Sequence, residues 1–137
     1  MAVFFLDANV VFSACLSDKG HARALFHLAQ ARYCTLLTSS YAAEEARRNL
    51  SVKYRKHLPT LHDLEPLFTI IPEASPALVT WANSHVVAKD APILAAAVAS
   101  GADYLVTGDQ RHFGHLYGQV LEDLTVVSLK GALELLL

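Results

Sequence analysis

The chain has 137 residues, 53% of them hydrophobic and 18% charged, with eleven Lys plus Arg against thirteen Asp plus Glu. That length suits one domain, residues 1–137, with a real core, and the balance excludes intrinsic disorder, which needs low hydrophobicity and high charge. A net charge of −2 also argues against nucleic-acid binding by sheer positive charge.

Val3 to Leu6 is a β-rich apolar run stopped by Asp7 and reads as a buried strand. From Gly20 to Arg32, Ala22, Leu25, Phe26, Leu28 and Ala29 recur at helical spacing. Tyr33 to Leu37 reads as a second strand, and Ser39 and Ser40 offer N-caps for a helix to about Leu50. Pro59 and Pro66 bracket a helical stretch around Leu61 to Leu67, and Phe68 to Ile71 is a short strand ended by Pro72. Ser75-Pro76 opens a helix to about Asn83. Asp90 to Ser100 is another helix, with Pro92 in its first turn and Gly101 as its stop. Asp103 to Thr107 and Thr125 to Ser128 are the fourth and fifth strands, followed by a last helical turn through Leu137.

Apolar strands alternating with helices predict an α/β/α sandwich around a parallel sheet. Right-handed crossovers then require a reversal of winding, with strands two and three on one side of strand one and strand four on the other. Ligands bind such sheets at the crevice between the C-terminal ends of strands one and four. Asp7 follows the first of these strands directly and Asp109 follows the other after Thr107-Gly108, while Asp90 opens the preceding helix near the same edge. Each also suits a local role, Asp7 and Asp90 as helix caps and Asp109 in a turn, but three separate caps have no reason to converge on one crevice.

A fourth acid comes from the helix after strand two. Glu44 has Arg47 and Arg48 at i+3 and i+4, an exposed ion-pair pattern, whereas Glu45 lies on the side of Tyr41, Ala42, Ala46 and Asn49. Glu45 is therefore the inward acid. Four convergent carboxylates need cations among them, and Mg²⁺ or Mn²⁺ suits an oxygen-rich set. Two such ions can clamp the attacking and leaving oxygens of a phosphodiester. Asn9, Ser13 and Thr107 are placed to support the acids by hydrogen bonding.

Leu6-Asp7-Ala8-Asn9-Val10, Glu45, Lys89-Asp90-Ala91-Pro92-Ile93-Leu94-Ala95-Ala96-Ala97 and Leu105-Val106-Thr107-Gly108-Asp109, in this order and spacing, resemble a PIN domain. The resemblance implies strand order 3-2-1-4-5 and a metal-dependent ribonuclease that leaves 5′-phosphate and 3′-hydroxyl ends. It carries the family's catalytic and metal-binding acids onto Asp7, Glu45, Asp90 and Asp109, with Asn9 and Thr107 in support. Many bacterial single-domain members, the VapC-like proteins among them, are homodimeric toxins of toxin–antitoxin pairs. The resemblance thus extends the expectation to an antitoxin partner and a homodimer.

Arg47, Arg48, Lys53, Arg55 and Lys56 put five of the eleven basic residues within ten positions. They read either as a phosphate-guiding patch for single-stranded RNA or as a solvated helix face paired with acids such as Glu44. Tyr54 and His57 interleave with them and suit base stacking. Arg111 and His112 are further candidates beside the scissile phosphate, although a histidine in an exposed loop carries no catalytic implication by itself. Setting the four acids aside leaves nine acids against eleven bases, so the overall charge does not exclude RNA.

Rival chemistries lack a required residue. A haloacid-dehalogenase-type phosphatase expects a second Asp where this chain has Asn9, and a receiver domain needs an Asp after strand three, where Ile71-Pro72-Glu73 stands. No G-x-G-x-x-G or P-loop is present. The seven histidines form no H-E-x-x-H or H-x-E arrangement, against zinc chemistry. A catalytically silent RNA-binding or protein-interaction module on the same fold is the alternative. The longest apolar run, Ala91–Ala99, is half of the roughly 18 residues a membrane span needs, and no basic residue precedes Lys19, against a signal peptide. With Cys15 and Cys34 isolated in sequence, a cytoplasmic protein with two reduced, buried thiols and no membrane partner is expected. The clustered C-terminal leucines, Leu133 and Leu135 to Leu137, suit either the core or a subunit interface.

Overall fold

A computed structural model describes residues 1–137. The chain forms β1 (Ala2–Leu6), α1 (Ala8–Leu16), α2 (His21–Gln30), β2 (Cys34–Ser39), α3 (Ser40–Lys53), α4 (Leu58–Leu64), β3 (Phe68–Ile71) and α5 (Pro76–Ala82). It continues through α6 (Ala91–Ala99), β4 (Tyr104–Val106), α7 (Gln110–Phe113), β5 (Val120–Leu121), β6 (Leu124–Val127) and α8 (Leu129–Leu135). Short 3₁₀ turns precede and follow α4 and follow α7.

One six-stranded sheet has the order β3-β2-β1-β4-β6-β5. β1 lies at its centre, paired parallel with β2 (Phe4 opposite Leu36) and with β4 (Phe5 opposite Leu105). The expected α/β/α class and the reversal about strand one are both present. The order 3-2-1-4-5 holds for the parallel strands, and the strand expected at Thr125 to Ser128 is β6. The sheet departs from the expectation by one added edge strand, the two-residue β5, which pairs antiparallel with β6. Its hairpin turns on Glu122 (φ 51°) and Asp123 (φ 69°), both in the left-handed region. Such two-residue turns usually show Asn-Gly or Asp-Gly in the sequence, and Glu-Asp carries no such signal.

Alternation along β1 divides the core. Phe4 and Leu6 join Val10, Val11, Leu25, Phe26 and Leu50 on one face, covered by α1, α2, α3, α4 and α8. Phe5 and Leu105 join Ile93, Leu94, Phe113 and Val126 on the other, covered by α5, α6 and α7. α6 reads Ala-Pro-Ile-Leu-Ala-Ala-Ala-Val-Ala, and six of its nine residues are buried. Its alanines permit close approach to the sheet, while Pro92 occupies the first turn, where its missing N–H costs nothing.

Local signals account for the helix limits. Ser39 accepts a hydrogen bond from the Ala42 amide at the start of α3, and Ser75 does so from Leu78 at α5. Gly101, at φ 74°, turns the chain from α6 toward β4 in a conformation that disfavours side chains bearing a Cβ. Cys15 and Cys34 are free and buried, and burial pushes the Cys15 thiol up to about 11. Leu133 and Leu136 pack on the core, whereas Leu135 and Leu137 are exposed. No helix is long and apolar enough to cross a membrane.

Candidate active site

β1 and β4 end side by side, and Asp7 stands where β1 stops. Its amide donates to Val106 O at 3.0 Å, continuing the ladder, while its extended backbone (φ −67°, ψ 157°) releases the chain into α1. The carboxylate is 3% exposed and held from three directions. Oδ1 accepts from the Ala8 amide at 2.7 Å, and Oδ2 accepts from Thr107 Oγ1 at 2.8 Å and Asn9 Nδ2 at 3.0 Å. Asp7 is therefore both a helix cap and a member of the crevice.

Asn9 and Thr107 tie the two strand ends together. Asn9 Oδ1 accepts from the Gly108 amide at 2.9 Å, and Thr107 Oγ1 accepts from the Asp109 amide at 3.1 Å. Tyr117 OH donates to Thr107 O at 2.9 Å, anchoring the same turn from beyond α7. On the other flank Tyr41 OH donates to Lys89 O at 2.8 Å, joining α3 to the segment that carries Asp90. Tyr41 and Tyr117 bear no sequence motif, so neither stood out before the fold was known. Ser13 is exposed and makes no hydrogen bond to this network.

Asp90 precedes α6 without capping it. Its carboxylate is free of the local role that its position suggested, and it is 4% exposed. Asp109 does cap α7, accepting from the His112 amide at 3.1 Å through Oδ1. The His112 ring lies 2.9 Å, measured from Nδ1, from both Asp90 Oδ2 and Asp109 Oδ2. Despite that proximity, Asp90 Oδ2 and His112 Nδ1 are buried with no partner in hydrogen-bond geometry. Each of Asp90, Asp109 and His112 offers one ligand atom, and the three atoms lie within 4.8 Å of one another. His112 thus belongs to a helical turn and the acidic cluster, not to an exposed loop. The signal was in the sequence: a histidine three positions after an acid shares its face once a helix starts there.

The electrostatics follow from packing acids together out of water. Burial, reinforced by the charges of Asp90 and Glu45, pushes the Asp7 carboxyl up to about 6 against the pull of its hydrogen bonds from Thr107 and Ala8. Burial also raises Asp90, with Asp109 adding to the effect and His112 and Lys89 opposing it. Burial raises the Tyr41 hydroxyl as well, with Glu45 and Asp90 adding to it. The structure therefore brings Asp7, Asp90 and Asp109 to one crevice, with Glu45 close enough to act on Asp7. Glu45 is half-buried beside the buried Ala42 and Ala46, while Glu44 is exposed and Asn49 faces solvent.

The donor chemistry fits a hard divalent cation. Carboxylate oxygens dominate, and Asp90 presents a buried oxygen that no protein donor serves. Beside the cluster, a cleft of about 320 Å³ is lined by the 83–87 segment, Arg111, His112 and His115, with no carboxylate in its wall.

The basic residues divide. Arg47 reaches Glu65 at 3.1 Å and Glu44 at 3.7 Å, a surface ion-pair arrangement of the kind expected for a solvated helix face. Arg48 and Lys53 are exposed with no acid within 4 Å, and the charge of Arg48 is felt at Tyr41. Tyr54 packs edge-on against Phe12 at 5.8 Å, so part of its ring is already covered.

The family model for the PIN domain matches residues 3–111, spanning all four acids. No curated protein matches the chain. Among solved structures, the chain resembles VapBC2 from Rickettsia felis, crystallised bound to a DNA fragment from their promoter, at 19% identity and a TM-score of 0.68, covering 92% of this chain and 98% of that one. It also resembles FitAcB from Neisseria gonorrhoeae at 21% identity and a TM-score of 0.63, covering 93% and 98%. At such identities these two likenesses speak for the fold, and the match over residues 3–111 speaks for the family. The chain belongs to the PIN domain family.

Proposed function

We propose that the protein is a divalent-metal-dependent ribonuclease acting on single-stranded RNA, and that it is the toxin of a toxin–antitoxin pair. PIN domains are generally nucleases. The observation that carries the reading for this chain is the buried, unpartnered Asp90 oxygen facing Asp109 at the mouth of β1 and β4. Asp7, Glu45, Asp90 and Asp109 would hold Mg²⁺ or Mn²⁺, which when bound supplies Lewis-acid polarisation of the phosphate and a more acidic attacking water.

The protein's own groups set the geometry. Thr107 and Asn9 lock the Asp7 carboxylate, so its oxygens do not rotate away when substrate enters. Burial removes competing water, which strengthens every charge interaction in the crevice. Arg111, in the wall of the adjoining cleft, offers a cation to the RNA backbone on one side of the scissile bond. Arg48 and Lys53 offer the same on the α3 side, and Arg47 joins them once Glu65 releases it. In the reaction a water oxygen bonds to phosphorus, the bond from phosphorus to O3′ breaks, and the departing oxygen takes a proton. The ends are a 5′-phosphate and a 3′-hydroxyl.

The two-component assemblies VapBC2 and FitAcB support an antitoxin partner for this chain. A homodimer belongs to the same reading, with the exposed Leu135 and Leu137 as apolar surface available to it. A cytoplasmic location agrees with the free thiols of Cys15 and Cys34.

The test is cleavage of a defined single-stranded RNA pool with Mg²⁺, with Mn²⁺ and with a chelator, for the native protein and Asp90→Asn. The reading expects metal-dependent cutting that Asp90→Asn abolishes while the variant stays folded. Binding of RNA and metal without cleavage of any substrate would instead establish the catalytically silent module.

A further inference from the structure

We propose that His112 is itself a metal ligand, so that the ion is held by a mixed Asp90, Asp109 and His112 set instead of by carboxylates alone. The proposal rests on the metal-dependent reading above and adds a nitrogen donor to it, and with that donor a preference among ions.

Distances point to shared coordination. His112 Nδ1 is 2.9 Å from Asp90 Oδ2 and 2.9 Å from Asp109 Oδ2. An octahedral ion with bonds of about 2.1 Å sets adjacent ligand atoms about 3 Å apart, which is the spacing of both edges. A ring N–H donated to Asp90 gives the same distance on one edge and leaves the other unexplained. One ring N–H aims at one acceptor, whereas two carboxylate oxygens stand equally near this nitrogen. Neither Nδ1 nor Asp90 Oδ2 has a partner of hydrogen-bond geometry. With the Asp90 side chain 5% exposed, solvent does not relieve the unserved oxygen, and leaving it so is costly. A cation between the three groups satisfies all of them.

The backbone holds the ring in place. The His112 amide donates to Asp109 Oδ1, and the next residue, Phe113, is fully buried in the core. Ligation through Nδ1 leaves the ring proton on Nε2. Imidazole favours transition ions, so this set binds Mn²⁺ more tightly relative to Mg²⁺ than a purely carboxylate set does.

Pulsed electron paramagnetic resonance on full-length protein loaded with Mn²⁺ tests the ligand directly. The expected spectrum shows ¹⁴N modulation that becomes ¹⁵N on histidine labelling and disappears in His112→Ala. The affinity of that variant for Mn²⁺ should fall about tenfold or more, with a smaller loss for Mg²⁺. His112→Asp keeps a metal-binding group at the position and should bind Mn²⁺ without nitrogen modulation, which preserves the test if His112→Ala does not fold. Nitrogen modulation that persists in either variant overturns the proposal. So does Mn²⁺ bound to the native protein with no nitrogen modulation, a result that leaves the carboxylate metal site standing. Failure of the native protein to bind Mn²⁺ at millimolar concentration overturns both.

Discussion

Replacing Asp7 with Asn should stabilise the metal-free protein at neutral pH while abolishing the proposed RNA cleavage. The native carboxyl is raised from 3.8 to about 6, chiefly by burial. Below pH 3.8 the group is protonated in both folded and unfolded chains, and its contribution to stability is complete. As pH rises toward 6 the unfolded chain releases the proton first, and by neutral pH the folded state carries a desolvated charge. The loss amounts to about 3 kcal/mol. Asn has no charge to bury, but its amide must place an N–H₂ opposite Asn9 Nδ2, now 3.0 Å from Asp7 Oδ2, forfeiting a hydrogen bond of about 1 kcal/mol. The Thr107 hydroxyl can turn to accept instead of donate. The net gain is about 2 kcal/mol at pH 7.5, which moves the urea midpoint up by about 1 M. Urea unfolding in chelator at pH 4.5 and pH 7.5 measures it, with the advantage of the variant present at the higher pH and absent or reversed at the lower. An Asp7→Asn protein less stable than native at pH 7.5, or a difference that does not change with pH, refutes the reasoning.

Other outcomes follow from the same contacts. Thr107→Val removes the hydroxyl that serves Asp7 Oδ2 and the Asp109 amide in a fully buried position. It should cost about 3 kcal/mol, lowering the melting temperature by about 10 °C in calorimetry and reducing cleavage. Glu44→Gln should leave RNA cleavage unchanged because its carboxylate is exposed, whereas Glu45→Gln should lower it at least tenfold, as parallel kinetics would show. Arg111→Ala should raise KM for RNA with little change in kcat, and reduce the slope of log affinity against log salt by about 1.

Much of this arrangement was legible in the sequence because it depends on local rules. Apolar strand runs, serine caps and the proline and glycine limits of α6 each act within a few residues, and together they fix the reversal about β1. That reversal is enough to place Asp7 and Asp109 on the two lips of one crevice, at the ends of the paired strands β1 and β4. The distinction between Glu44 and Glu45 also followed from helix geometry, because the i+3 arginine does reach Glu44. What escaped depends on the tertiary arrangement or on weak local signals. β5 is two residues long and turns on Glu122-Asp123, and α7 is a four-residue helix capped by Asp109. Missing α7 left His112 in a supposed loop and hid its approach to Asp90, twenty-two positions away. The i+3 spacing shows the contact of Arg47 with Glu44, but not its shorter contact with Glu65, a partner across the fold eighteen residues on.

Anomalous diffraction from crystals soaked in Mn²⁺ most directly tests the claim that the acids form a metal centre. The account predicts an anomalous peak bounded by Asp90 and Asp109, within reach of Asp7 and Glu45, and its loss in Asp90→Asn crystals. Saturating Mn²⁺ that leaves this crevice without a peak, or places the ion elsewhere on the molecule, would contradict it.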